Sequence, residues 1–341
     1  MMKKALIGLL ITSLLLSILG FIAYQKVFGP QVSLNEEKKL FYVNSATSFD
    51  GLTKKLHEEG IVKDTSSYKF VAQLMKFDLP KAGRYEILNK ASNRELISIL
   101  RSGSQQPINL TFNNQRTIYD LIGLFSQQLE ADSIDLVDCM LDEAQLKRLG
   151  YEDESLLTMF IPNSYQVYWD CNCTCLLDRF EKEHHKFFTT ERLEKLSVLG
   201  LTEKELYILA SIVQKETLVA EEKSTVAGVY LNRLNRGQLL QADPTVVFAS
   251  GQFDLRRVLN KHLAIDSPYN TYKYEGLPPG PICMPDVQTI DAVLNYEKHN
   301  YLYFCASPDN SGRHVFAKSL IQHNINAKHY RKFLNSQRIY K

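Results

Sequence analysis

Glu216 is the side chain of this sequence best placed for acid chemistry, because residues 202–217 put its carboxyl group on the apolar side of a helix. Leu206, Leu209, Ile212 and Val213 recur at helical spacing, and Glu216 follows Ile212 by four positions and Leu209 by seven, in the same stripe. Desolvation there disfavours the charged form and raises the pKa, leaving a proton to donate near neutral pH as a general acid requires. The alternative is a structural acid, at a solvent-facing edge or paired with Lys215 or Lys223. More polar groups follow in two later runs. Gln241 and Asp243 sit in Leu240-Gln-Ala-Asp-Pro-Thr245, and Tyr269, Asn270, Thr271 and Tyr272 lie within residues 267–282, which are dense in turn formers. Rigid loops with polar and aromatic tips suit ligand contact, and prolines that merely stiffen an exposed connection would leave the same composition.

These groups must be held by helices and short strands. Thr202 and Glu205 form a capping box that starts the helix carrying Glu216, and residues 221–234 show a second amphipathic helix that ends at Gly237. Nearer the N-terminus, Ser48 precedes Leu52, Leu56 and Gly60 much as Ser92 precedes Leu96, Leu100 and Gly103, an echo of two capped helices with glycine stops. Residues 82–87 and 109–112 read as strands, and Thr117 caps a helix with Ile118, Leu121, Ile122 and Phe125 on its apolar side. The fold class expected is α+β, with a small module over 41–150 and a larger domain over 151–341.

With 45% hydrophobic and 23% charged residues the chain is built to fold, and a net charge of +2 with mixed signs throughout does not suggest nucleic acid as a partner. Residues 5–24 are free of charge and long enough to span a bilayer, with Lys3 and Lys4 in front. Residues 1–27 are therefore expected as a cytoplasmic tip and single uncleaved membrane anchor, 28–40 as a linker, and the rest as extracytoplasmic. Six cysteines allow 15 pairings, and Cys171, Cys173 and Cys175 lack the spacing of common zinc sites. A loop or strand with a local disulfide or free thiols is expected there; neither metal nor cofactor is.

Taken together, Ala210-Ser-Ile-Val-Gln-Lys-Glu-Thr217, Val229-Tyr-Leu-Asn-Arg-Leu234, Leu240-Gln-Ala-Asp-Pro-Thr245, Tyr269-Asn-Thr-Tyr272, Gly276-Leu-Pro-Pro-Gly-Pro-Ile282, Tyr301-Leu-Tyr-Phe304 and His314-Val-Phe316 resemble the YceG-like endolytic murein transglycosylases. The resemblance covers residues 156–334 well and 41–150 more loosely, where the family carries a module similar to LysM glycan-binding domains. It implies a protein that cleaves the MurNAc-GlcNAc bond inside peptidoglycan strands and leaves 1,6-anhydro-MurNAc ends, and the anchor fits the family's single span of the bacterial cytoplasmic membrane; from that topology, termination of new strands where they emerge from peptidoglycan synthases is the expectation. The family's catalytic glutamate falls on Glu216, and Gln241, Asp243, Tyr269, Asn270, Thr271 and Tyr272 match motifs placed around its cleft. The chain departs from the family pattern at Pro162-Asn-Ser-Tyr165 and at Asn113-Asn-Gln115.

A transglycosylase of this kind works with one carboxyl group, whereas a muramidase-type hydrolase needs a second, for which Asp243 and Asp266 are the nearest candidates in cleft loops. A third reading is a glycan-binding scaffold for cell-wall synthases that makes no cut.

Overall fold

The computed structural model describes residues 2–255 and 257–337; the first residue of the expected anchor and the last four of the larger domain lie outside them. The fold mixes helix and sheet and divides into two compact units. Unit 1 comprises Met1–Leu110, Gln128–Ala131 and Tyr165–Asn172, and unit 2 comprises Thr111–Gln127, Asp132–Ser164 and Cys173–Lys341.

Unit 1 begins with helix α1 (Met2–Phe28). Its apolar stretch Lys3–Phe28 has 26 residues, exposed except at the partly buried Lys26 and Val27, and at 1.5 Å per residue it reaches about 39 Å, more than a hydrocarbon core of about 30 Å. The C-terminal end of α1 is fastened to the body of the unit. Asn93 donates to the Lys26 carbonyl at 3.0 Å, and the Arg94 guanidinium lies 5.2 Å from the Phe28 ring centroid. Strands β1 (Lys38–Val43) and β2 (Gly83–Leu88) pair antiparallel, Phe41 opposite Tyr85, and enclose helices α2 (Phe49–Glu58) and α3 (Thr65–Leu74) in chain order. Helix α4 (Asn93–Ser102) follows, and strand β3 (Ile108–Phe112) leads the chain onward. Alternation puts Phe41, Val43, Tyr85 and Ile87 on one sheet face, against Leu52, Leu56, Tyr68, Val71, Leu96 and Leu100. Both halves of the sequence echo are present: Ser48 caps α2, and Ser92 with Glu95 makes a full capping box on α4, which stops at the left-handed Gly103. Within residues 28–40, Val32 is buried and bridges Val62, and Pro30 bridges Ser92, so this segment packs along the unit.

Unit 2 takes up helices α5 (Ile118–Gln128), α6 (Ser133–Met140) and α7 (Glu143–Leu149), which sequence patterning had grouped with the smaller module. The reason is aromatic packing. Phe125 stacks on Phe180 at 5.6 Å, and Phe112 and Phe160 close the same cluster edge-on or tilted. Strand β4 (Asn163–Val167) pairs with β3 and is followed by α8 (Cys173–Phe187) and α9 (Thr190–Leu199). The expected loop or strand at the cysteine run is corrected here, because Cys173 and Cys175 already belong to α8 and Cys173 is bonded to Cys139 on α6. Cys171 and Cys175 are disulfide-bonded as well.

The centre of unit 2 is α10 (Glu203–Glu216), in which every residue from Leu206 to Val213 is buried. Around it pack α11 (Lys223–Leu234), α12 (Asp243–Ser250) and α14 (Val287–Leu294), with α13 (Asn260–Leu263) beside α12. Strands β5 (Tyr303–Ala306) and β6 (His314–Ala317) form an antiparallel pair, and α15 (Leu320–Ser336) lies on it.

Candidate active site

Thr202 and Glu205 start α10 through the capping box read from sequence, and the helix ends on Glu216. That position acts on its carboxyl group in two ways. The first is desolvation: one oxygen, Oε2, is sealed from solvent and has no hydrogen-bond partner, although the residue as a whole keeps some exposure. The second is the helix macrodipole, whose negative end disfavours an anion at the last turn. Burial is the chief cause that pushes Glu216 up to about 7, with a further contribution from the Asp243 charge. A hydrogen bond from Tyr230 and the Arg233 charge oppose the rise. Near neutral pH the group therefore keeps a proton far more readily than an ordinary glutamate.

Helix α11 supplies both opposing groups from one side. Tyr230 is fully buried, and burial together with the Glu216 charge holds its hydroxyl far above the ordinary phenol range, so it stays a donor. Sequence reading quoted Tyr230 only within the run 229–234 of an amphipathic helix and missed it as a site residue; a buried tyrosine needs a partner for its hydroxyl, and that was the available signal. Arg233 is fixed by donating to the carbonyls of Leu302, Leu239 and Leu240 at 2.7, 3.1 and 2.7 Å, and to Gln241 Oε1 at 3.3 Å. It was quoted in a motif but not singled out.

The two later runs form one connected piece. Gln241 has a left-handed backbone, φ 52°, and is latched by its amide N–H donating to the Thr271 carbonyl at 3.0 Å. Thr271 Oγ1 accepts from the Ala242 amide at 3.0 Å and shares a hydrogen bond of 2.8 Å with Thr245. Asn270 donates to the carbonyls of Leu263 and Ile265 at 3.0 and 2.7 Å and accepts from the Tyr272 amide at 3.1 Å. Asn270 and Thr271 are thus buried braces, and the picture of four polar tips is corrected for these two. Tyr272 does reach toward the acid: its hydroxyl donates to Asp243 Oδ1 at 2.6 Å, and its ionisation senses the Glu216 charge. Tyr269 instead packs on Phe248, ring centroids 4.7 Å apart. Asp266 is bound to Lys273 and Tyr274 at 2.8 and 2.7 Å in an exposed turn.

Replacing Asn270 with alanine takes a partner from two part-buried carbonyls and a part-buried amide and leaves a gap where a fully buried side chain stood. The expected result is a loss of about 2–4 kcal/mol in a denaturant titration, with apparent substrate affinity little changed in the fraction that folds. A large change in affinity at unaltered stability would make Asn270 a contact residue instead.

Beside these groups, wholly within unit 2, opens a cleft of about 950 Å³. Glu216 is not itself on the wall, but its chain neighbour Lys215 and Asp243, whose charge reaches it, both are, with Phe248, Phe253 and Ile282.

Comparison with known proteins places these observations. The YceG-like family model matches residues 41–329. The endolytic murein transglycosylase of Streptococcus pneumoniae strain D39 is 26% identical over 98% of this chain and 66% of its own length, so the chain spans slightly less than two thirds of that relative. The Bacillus subtilis endolytic murein transglycosylase is 42% identical over 132 residues, 39% of this chain and 35% of the relative. A crystal structure of a yceG-like protein from Listeria monocytogenes covers 85% of this chain and 99% of its own, at 24% identity and a TM-score of 0.55, which shows a shared fold.

Proposed function

The chain belongs to the YceG-like family, and from that premise we propose that it is a lytic transglycosylase of peptidoglycan, acting through Glu216. One observation carries the proposal: Glu216 Oε2 is buried without a partner, on a carboxyl group held near pH 7, at the edge of a cleft large enough for sugars. Protonated Glu216 gives its proton to the glycosidic oxygen as the bond from muramic acid C1 breaks and C1 gains oxocarbenium character. The resulting carboxylate takes the proton of the C6 hydroxyl as O6 closes on C1. The acid is regenerated, no water is consumed, and the strand ends in 1,6-anhydro-MurNAc. Tyr230 and Arg233 hold the carboxylate form within reach between the two transfers.

The position of α1 supports a single-span anchor with the basic Lys3–Lys4 end in the cytoplasm. The disulfide between Cys139 and Cys173 supports an oxidising location outside the membrane. Unit 1, a compact α+β body joined to that anchor, is the LysM-like glycan-holding module, and unit 2 is the catalytic domain. A tether at the membrane suits an enzyme that ends strands as they emerge from synthases. Asp243 favours a second reading, a muramidase-type hydrolase, because it is the carboxylate whose charge reaches Glu216.

Mass spectrometry of the reducing ends released from purified peptidoglycan decides between them. Anhydro ends are expected; free reducing ends would replace this reading with the hydrolase, and intact strands that stay bound would replace it with a scaffold. The pH profile offers an independent check. Because the first step needs the protonated acid, cleavage should fall as pH rises through about 7. Tyr230→Phe removes a hydrogen bond that favours the carboxylate, so the alkaline limb should move up by roughly half to one pH unit. An unmoved limb would exclude Tyr230 as the group tuning Glu216.

A further inference from the structure

The cleft beside Glu216 carries more positive charge than a neutral sugar chain calls for. Arg116, Lys215, Arg257 and Arg331 stand on its wall, brought from the segment before α5, from α10, from the loop after α12 and from α15. Among the described residues Asp243 is the only carboxylate on that wall, and it already accepts from Tyr272. Among the described residues, too, none of the four cations is within ion-pair distance of a carboxylate. Elsewhere in unit 2 arginines are paired: Arg148 with Asp178 and Glu181, Arg192 with Asp291, Arg313 with Glu221.

Their settings make them usable by a ligand. The Arg116 guanidinium carbon stands 3.6 Å from the Phe253 ring centroid, a cation–π contact that steadies it on the cleft wall without using up its N–H donors. Lys215 is steadied by donating to Asn114 Oδ1 at 3.2 Å, and Arg331 by donating from Nε to the Ala327 carbonyl at 3.3 Å. Both retain further N–H groups. Cations of one sign around a concave, partly apolar wall repel each other when the cleft is empty and concentrate anions within it. Planar forks in such a place match carboxylates, two N–H groups to two oxygens.

We infer that this cleft is a carboxylate subsite: it grips an acidic substituent carried by the glycan strand, and so makes cleavage selective for strands that bear free carboxylates close to the bond cut. The inference rests on the proposed reaction and adds to it a determinant of which strands are accepted. The shared chemistry is the carboxylate, borne either by the peptide stem or, where the stem has been removed, by the lactyl ether of muramic acid.

The test uses the full chain in detergent micelles and soluble glycan strands in three forms: stems intact, stem carboxylates converted to neutral amides, and stems removed to leave lactyl carboxylates. Binding is followed by fluorescence anisotropy of end-labelled strands, and cleavage by product mass spectrometry. Wild type should bind and cut the intact strands about tenfold better than the amidated ones, with the difference shrinking as salt is raised. Arg116→Gln combined with Arg331→Gln should abolish that preference while leaving cleavage of amidated strands as it was. Stem-free strands handled as well as intact ones would mean that the lactyl carboxylate, freed when the stem is cut away, fills the same subsite; poor handling of them assigns the grip to the stem carboxylates alone. Equal handling of intact and amidated strands by wild type would overturn the subsite, as would a double variant that loses both equally. Selective binding with no cleavage of any strand would leave the subsite standing and remove the proposed reaction instead.

Discussion

Glu216→Gln is expected to lower glycan cleavage by about 10⁴-fold, because in the proposed reaction one carboxyl group serves as acid in the first transfer and as base in the second. Glutamine keeps the shape and can still accept from Tyr230, so the fold should survive. It should in fact be firmer at high pH. The acid lies near 4.5 in the unfolded chain and rises to about 7 in the folded one. Between those values the unfolded chain binds fewer protons, so stability falls as pH rises through that window and stays low above it. The difference corresponds to about 3 kcal/mol at full effect. Thermal unfolding of wild type and variant should therefore nearly coincide below pH 4.5 and separate above pH 7, with the variant higher. A variant that cuts normally would dismiss Glu216 as the acid; one with no stability gain at about pH 8 would dismiss the buried, proton-holding carboxyl.

Gly280→Ala should be the most damaging glycine-to-alanine change among the described residues of unit 2. A Cβ built there stands 1.9 Å from the Glu154 carbonyl oxygen and 2.8 Å from the Tyr269 hydroxyl. The first obstacle is backbone and cannot rotate away. The loop carrying Gly280 is also tied to the acid-bearing helix: the Ile282 amide donates to Ser211 Oγ at 3.0 Å, and the Cys283 thiol faces the Ser211 carbonyl at 3.6 Å. Pushing the loop aside therefore disturbs α10 five residues before Glu216. We expect a loss of about 3 kcal/mol or more in a denaturant titration. In protein that still folds, a displacement of about 1 Å at the acid would cost about 100-fold in rate. Gly276→Ala in the same loop is the control. Its φ of 82° strains any side chain, yet nothing lies within 4 Å of the added Cβ, so about 1–2 kcal/mol is expected. Equal losses at the two positions would mean that the loop yields and the contact with Glu154 costs little, since Gly280 has no left-handed backbone to strain.

What the sequence determined by itself was local. Thr202 with Glu205, and Ser92 with Glu95, start helices because a cap and its partner lie within one turn of each other. The carboxyl group of Glu216 follows from the same short range, since the apolar stripe of α10 is written in consecutive turns. The apolar length of α1 is likewise a property of one continuous segment. Tertiary structure decided which of the candidates meet and what each is used for. Asn270 and Thr271 read as loop tips, but the chain folds back on residues 241–245 and 263–265, and their hydrogen bonds are spent there. The helices over 118–149 read as part of the small module, and aromatic packing with Phe160 and Phe180 claims them for unit 2. Tyr230 looks like any core residue of an amphipathic helix until α11 is set against the end of α10. Arg116, Lys215, Arg257 and Arg331 are ordinary cations in four separate stretches, and they become one charged wall only when those stretches converge. Periodicity and capping report neighbours along the chain, a few residues apart. Desolvation, charge pairing and the walls of a cleft depend on neighbours in space, and those are fixed only when the helices pack.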